Sequence, residues 1–181
     1  LVELKKEELE MLLNKVGRHH SYGHPPRNYC VLQLLMCGLR VSEVAQITNF
    51  QILDINNDAR DSFCLTAQQT KTSKERWVYL TESAKKAVNS YCASTKGYVN
   101  DNPPMKKCYM PDGTFIESQK GGGKGVGFSA NSLAQLVNRV IKKAGLNTSS
   151  HFGRKQIASV LIEQGAALST CQKILGHQNI S

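Results

Sequence analysis

The chain has 181 residues, 40% of them hydrophobic, and sets 23 Lys and Arg against 14 Asp and Glu for a formal net charge of +9. That length supports one domain with a real core and is short for two, and the hydrophobic share excludes pervasive disorder. No apolar run is long enough to span a bilayer, and the opening residues have neither a signal-peptide layout nor an initiating Met, so a soluble cytoplasmic domain cut from a longer chain is expected, with no membrane partner.

Residues 4–16 carry Leu9, Leu12, Leu13 and Val16 at helical spacing, which predicts an amphipathic helix. A loop with Gly23, Pro25 and Pro26 follows. The segment from Arg27 to Cys37 is too uniformly apolar for a surface helix and reads as a buried one ending at Gly38. Ser42 is placed to cap a short helix from Glu43 to Ile47. The period then changes: Ser62 to Ala67 and Arg76 to Leu80 read as two strands flanking the polar stretch Gln68 to Glu75, a hairpin. Ala84, Ala87, Val88 and Tyr91 return to helical spacing. Residues 96–128 hold three prolines and half of the glycines and predict a long loop with at most short strands. Leu133, Leu136, Val137, Val140 and Ile141 mark a helix capped by Ser129 or Ser132 and stopped at Gly145. Two more helices, about Phe152 to Gln164 and Ser169 to Leu175, each end at a glycine. There is no internal repeat. The expected fold class is mainly α with a small antiparallel β-sheet (α+β).

The positive charge is uneven. Between Lys96 and Lys155 there are ten basic and three acidic residues, so +7 of the +9 sits in a third of the chain. Such a patch favours a polyanion partner, because neutralising phosphates releases counterions. The six cysteines, Cys30, Cys37, Cys64, Cys92, Cys108 and Cys171, form no C-x-x-C pair and read as reduced, mostly buried thiols. His19, His20 and His24 beside Pro25 and Pro26 read as a polar loop, with no metal site expected.

Three segments carry candidate chemistry. Cys37-Gly38-Leu39-Arg40-Val41-Ser42-Glu43 sets an arginine between a buried helix and the next one. Thr70-Lys71-Thr72-Ser73-Lys74-Glu75-Arg76 sets a lysine at the hairpin tip. His151-Phe152-Gly153-Arg154 is followed, 26 residues after its histidine, by Leu175-Gly176-His177. His151 and Arg154, three apart, share a helix face. Each segment alone has a plain reading: a surface arginine at a turn, a solubilising lysine, histidines and an arginine that cap helix ends.

Taken in order, they resemble the tyrosine recombinase (phage integrase) family, whose members show G-L-R-x-S-E, a hairpin lysine in G-K-G-x-K-x-R, then H-x-L-R, then L-G-H. The resemblance covers the whole chain and implies the catalytic-domain fold of the DNA breaking-rejoining enzymes for residues 1–181. It implies that Arg40 and Arg154 clamp the non-bridging oxygens of a scissile phosphate, a task suited to paired guanidinium donors. It makes Lys71 the general acid for the departing 5′-oxygen, on a hairpin mobile enough to swing in. His151 would assist proton transfer and phosphate binding, and His177 would donate to a phosphate oxygen. Glu43 would be structural, a buttress for Arg40. The implied reaction needs no metal and no nucleotide cofactor. Arginines and histidines stabilise the charge of a pentavalent phosphorane while a tyrosine attacks to leave a 3′-phosphotyrosine. Implied partners are a double-stranded DNA recombination site, on the nucleoid, and further copies of the full-length protein in a tetramer on that DNA.

The chain departs from the family pattern in several places. The nucleophile belongs beyond the L-G-H histidine, yet only Gln178 to Ser181 follow, and none of the six tyrosines sits in a matching motif. Truncation before the nucleophile is therefore expected, with no cleavage by this chain alone, and the N-terminal core-binding domain is missing, so DNA affinity should be low. Gly153 stands where a leucine is usual, which is expected to loosen packing there. Gln51 stands where many members have aspartate, with no catalytic cost expected. Residues 96–128 exceed the usual connector, and Lys120-Gly121-Gly122-Gly123-Lys124-Gly125 lacks the Ser or Thr of a P-loop; it would track the DNA backbone or be flexible. Arg154 is expected to face solvent and add little to packing. Two other readings remain open: a non-catalytic DNA-binding relative, and a type IB topoisomerase-like enzyme that would relax supercoils without a specific site.

Overall fold

In a computed structural model, which describes residues 4–95, 112–118 and 126–175, the chain begins with helix α1 (Lys6–Arg18). Glu8 folds back to accept the Lys5 N–H at 2.8 Å, and Lys15 and Arg18 lie at the C-terminal end, where the helix dipole favours cations. A 3-10 turn (His20–Tyr22) leads to α2 (Pro25–Met36). That helix starts two residues earlier than expected. Pro25 and Pro26 occupy positions whose N–H would have no helical partner, and His24 Nδ1 accepts the Arg27 N–H at 3.3 Å. His24 also meets Tyr91 edge-on, whereas His19 and His20 are exposed.

Cys30, Val31, Leu32, Leu34 and Leu35 of α2 are all buried, and α1, α5 and α7 pack around this helix. Gly38, at φ +84°, ends it in the left-handed region that favours glycine. The next helix, α3 (Val41–Val44), corrects the expectation for Ser42. Arg40, not Ser42, is the capping residue, and the helix ends before Ile47. A further turn, α4 (Asn49–Ile52), was not anticipated. Thr48 caps it by accepting the Gln51 N–H, and the Gln51 side chain accepts the Thr48 N–H in return. This reciprocal pattern was legible as T-x-x-Q.

Strands β1 (Ser62–Leu65) and β2 (Arg76–Tyr79) pair antiparallel, with Phe63 opposite Val78 and Leu65 opposite Arg76. Both are shorter than predicted. Phe63, Leu65 and Val78 face the core, and Trp77 and Tyr79 face outward. After α5 (Glu82–Thr95), the described part of the long connector lies along the α3–α4 junction. Phe115 N–H donates to the Ile47 carbonyl at 2.8 Å, and Asn49 N–H to Gly113 at 2.9 Å. Phe115 is buried against Tyr91 with the rings edge to face. Burial pushes the Tyr91 phenol up to about 12. Residues 112–118 thus form isolated bridges and no named strand, as expected; the Gly-rich run at 120–125 lies outside the described residues.

Helix α6 (Ala130–Lys143) is capped by Ser129 and buries Leu133, Val137, Val140 and Ile141. Helices α7 (Phe152–Glu163) and α8 (Leu168–Leu175) complete the fold. At α7 the expectation of loose packing is overturned. A Cβ on Gly153 would stand 2.3 Å from the Leu35 carbonyl oxygen and 2.8 Å from the Met36 nitrogen. Glycine is what lets α7 lie directly on the α2 backbone. Gly153→Ala should therefore force the helices apart and cost about 2 kcal/mol by overpacking, a fall in Tm of about 5 °C; an unchanged thermal melt would refute the close approach. The described helices include none long and apolar enough to cross a membrane, and Cys30, Cys37, Cys64, Cys92 and Cys171 are not in disulfides.

Candidate active site

The site begins at the end of α2. The turn at Gly38 directs its carbonyl toward α7 and β2, where it accepts Arg154 Nη1 at 2.6 Å and Arg76 Nη2 at 3.3 Å. Two residues on, Arg40 caps α3. Its N–H donates to Glu43 Oε2 at 2.7 Å and its Nη1 to Glu43 Oε1 at 2.9 Å, so one carboxylate holds both backbone and side chain. Glu43, with 0% exposure, also receives Arg76 Nη2 on Oε2 at 2.6 Å. The carboxylate acts as the buttress for Arg40 expected from the sequence, and it serves Arg76 as well. Arg76 sat in the quoted hairpin run without a role. Its place on β2 opposite Leu65 turns it toward α3, which only the strand register reveals.

Arg154 departs from expectation. It is 8% exposed and does not face solvent. Besides Gly38, it donates through Nη2 to the carbonyl of Leu175, the leucine of the Leu175-Gly176-His177 motif. Burial, then the nearby Arg40 charge, lowers its pKa from the ordinary guanidinium value to about 10. It therefore stays cationic at neutral pH, held in an environment that a bound anion would relieve. Across these four side chains three positive charges face one negative, with Arg40 the most open of the arginines that Glu43 holds, at 17%.

Arg40 and Arg154 thus come together at the Gly38 turn, near enough for the Arg40 charge to act on Arg154. His151 is exposed at the N-terminal end of α7, one turn before Arg154. Lys71 is exposed in the loop between β1 and β2, with no bond to the arginine cluster among the described residues. His177 lies outside the described residues; of its motif, the Leu175 carbonyl accepts from Arg154. No group of three or more His, Cys, Asp or Glu among the described residues could hold a metal ion. Chemically, the cluster is a set of guanidinium donors, fixed by a buried carboxylate and a backbone carbonyl, whose net positive charge suits an anion.

Comparison with known proteins places this arrangement. The model of the phage integrase family matches residues 3–181. The tyrosine recombinase XerC of Syntrophus aciditrophicus is 28% identical over 181 residues, covering 98% of this chain and 53% of that protein. The tyrosine recombinase XerD of Halalkalibacterium halodurans is 31% identical over 178 residues, covering 97% of this chain and 53% of its own. The chain spans about half the length of the curated relatives it matches. Among solved structures, the crystal structure of XerA recombinase superposes with a TM-score of 0.70 at 21% identity, covering 99% of this chain and 56% of that one. The Tn1549 transposon integrase in complex with a circular intermediate DNA gives 0.71 at 21%, covering 98% and 58%. At that identity the structural likeness speaks to the fold, which is that of a tyrosine recombinase catalytic domain. With the family model matched from one end to the other, and Arg40 and Arg154 drawn to one turn, the chain belongs to the phage integrase family.

Proposed function

We propose that residues 1–181 are a catalytic domain for site-specific DNA recombination, acting on a double-stranded DNA site by cleavage and rejoining through a 3′-phosphotyrosine. The carrying observation is the convergence of Arg154 and Arg76 on the Gly38 carbonyl, beside an Arg40 locked by buried Glu43. Arg40 and Arg154 hold the two non-bridging oxygens. A tyrosine oxygen attacks phosphorus, the P–O5′ bond breaks, and Lys71 protonates the departing oxygen. His151 aids proton transfer, and His177 donates to a phosphate oxygen. Protein cations supply the charge stabilisation in this step, with no metal or nucleotide called for. The related Tn1549 integrase and XerH recombinase are described in complex with DNA, which supports a DNA partner here. A tetramer on that DNA, on the nucleoid in the cytoplasm, is part of the same proposal.

The test is covalent capture. The product of the whole reading frame that encodes this chain, mixed with a nicked suicide DNA, should form a protein–DNA adduct resistant to denaturant. A folded protein that binds the DNA and forms no adduct would instead be the alternative, a non-catalytic DNA-binding relative. Lys71→Ala separates the two further. It should leave thermal stability within about 0.5 kcal/mol, as an exposed surface change does, and leave DNA affinity nearly unchanged, while adduct formation slows about a hundredfold through loss of the general acid. Equal losses in binding and cleavage would make Lys71 a phosphate contact only.

A further inference from the structure

The sequence led us to expect a hairpin free to swing, but the base of the Lys71 loop is tied down by a pair of glutamines. Gln51 of α4 donates from Nε2 to Gln69 Oε1 at 2.8 Å, and Gln69 Nε2 donates back to Gln51 Oε1 at 2.9 Å. Each amide nitrogen spends its other hydrogen on a backbone carbonyl. Gln51 Nε2 reaches Cys64 of β1 at 2.9 Å, and Gln69 Nε2 reaches Gln46, just past α3, at 2.7 Å. The oxygens are engaged as well: Gln51 Oε1 accepts the Thr48 N–H and Gln69 Oε1 the Thr66 N–H, both at 3.0 Å. With all four N–H donors used, neither amide can turn over without losing bonds.

From this network we infer that Gln51 and Gln69 form a latch, a pair of positioning residues that sets the Lys71 loop in register with the Arg40 helix. Gln69 is bonded to the carbonyl of Gln46, three residues after Glu43, and stands two residues before Lys71. The path from arginine cap to lysine is therefore short and fully bonded. Just past the latch the loop closes on itself. Thr70 Oγ1 donates to the Lys74 carbonyl at 2.7 Å and accepts the Lys74 N–H at 3.1 Å. Ser73 N–H also bonds back to the Thr70 carbonyl at 3.2 Å, so freedom is left to Lys71 and Thr72 and to the lysine side chain. Two strands of four residues each are too short to hold such a loop by themselves. A general acid, in turn, works only within hydrogen-bond reach of its proton acceptor. The latch meets that need without touching the reacting atoms.

The inference rests on the recombinase reading, and the experiment separates the two. The whole reading-frame product is assayed on DNA with either an ordinary 5′-oxygen or a bridging 5′-sulfur at the scissile phosphate. A thiolate leaves without protonation, so a defect in delivering the acid disappears on sulfur. Gln51→Met and Gln69→Met, near-isosteric and unable to bond, should each slow cleavage of the oxygen substrate by about 10- to 100-fold. The double variant should be no slower than either single one. All three should cleave the sulfur substrate within about twofold of wild type, as Lys71→Ala should. If the Met variants do not fold, Gln69→Asn, one methylene shorter, takes their place. Equal slowing on both substrates, additive single effects or unimpaired cleavage of the oxygen substrate would overturn the latch alone. A wild type that cleaves neither substrate would overturn the recombinase reading and the latch with it.

Discussion

Glu43→Gln is expected to lower the Tm by about 10 °C. The carboxylate is fully buried and holds two arginines, Arg40 at 2.9 Å and Arg76 at 2.6 Å. Removing one partner of a buried ion pair costs about 3–5 kcal/mol, because the remaining charge is left without compensation. In a domain of this size each kcal/mol corresponds to about 2–4 °C. The substitution conserves volume, so a cavity cannot account for the loss. The amide also carries an N–H pair where Glu43 has only acceptors, so one face of it would point a donor at a guanidinium. Adding Arg76→Met should recover part of the stability by removing one stranded charge, whereas two independent contacts would make the losses add. Circular dichroism melts of the four proteins in this cycle measure both. A Tm unchanged in Glu43→Gln would mean that the carboxylate does not hold the arginines, and the argument for a preorganised Arg40 would go with it.

What the sequence made legible follows from the range of the forces involved. Helices α1, α2 and α6 could be read because Leu9, Leu12 and Val16, the run Cys30 to Leu35, and Leu133, Val137, Val140 and Ile141 place burial in a local period. Arg40, Lys71, His151, Arg154 and His177 could be named as candidates because residue type and order survive as motifs. The cap at Arg40 could not be placed, since it depends on Glu43 folding back onto the N–H of a residue that is itself no usual cap. The Gln51–Gln69 pair spans 18 positions and exists only once the hairpin has folded over α4. Gly153 was misjudged for a related reason. A glycine inside a helix costs about 1 kcal/mol relative to alanine, which signals a close approach by some neighbour, but only the packing of α7 on α2 identifies it as Leu35.

Arg154→Ala is expected to reduce adduct formation by about 10²- to 10³-fold, as the loss of one preorganised donor to a developing oxyanion does. It should also lower stability, contrary to what a solvent-facing side chain would do. The Leu175 carbonyl loses the Arg154 donor and the Gly38 carbonyl keeps only Arg76 at 3.3 Å, at about 1–3 kcal/mol if they stay buried. The two effects are separated by measuring cleavage well below the melting transition, per folded molecule. Arg154→Lys sharpens the comparison: it keeps the charge and loses the fork that serves two acceptors at once, so it should retain more stability than activity. The pH dependence has a definite sign. Because the folded pKa, about 10, lies below the ordinary guanidinium value, the unfolded chain holds this proton more tightly. The group's unfavourable contribution is constant at lower pH and is relieved as pH rises through about 10 toward the ordinary guanidinium value. Between neutral pH and the folded pKa the charge on Arg154 is in place, so titration of this residue leaves no inflection in the cleavage rate there. An Arg154→Ala protein that melts several degrees lower yet forms adduct at the wild-type rate would make Arg154 a brace between α2 and the Leu175-Gly176-His177 motif and nothing more.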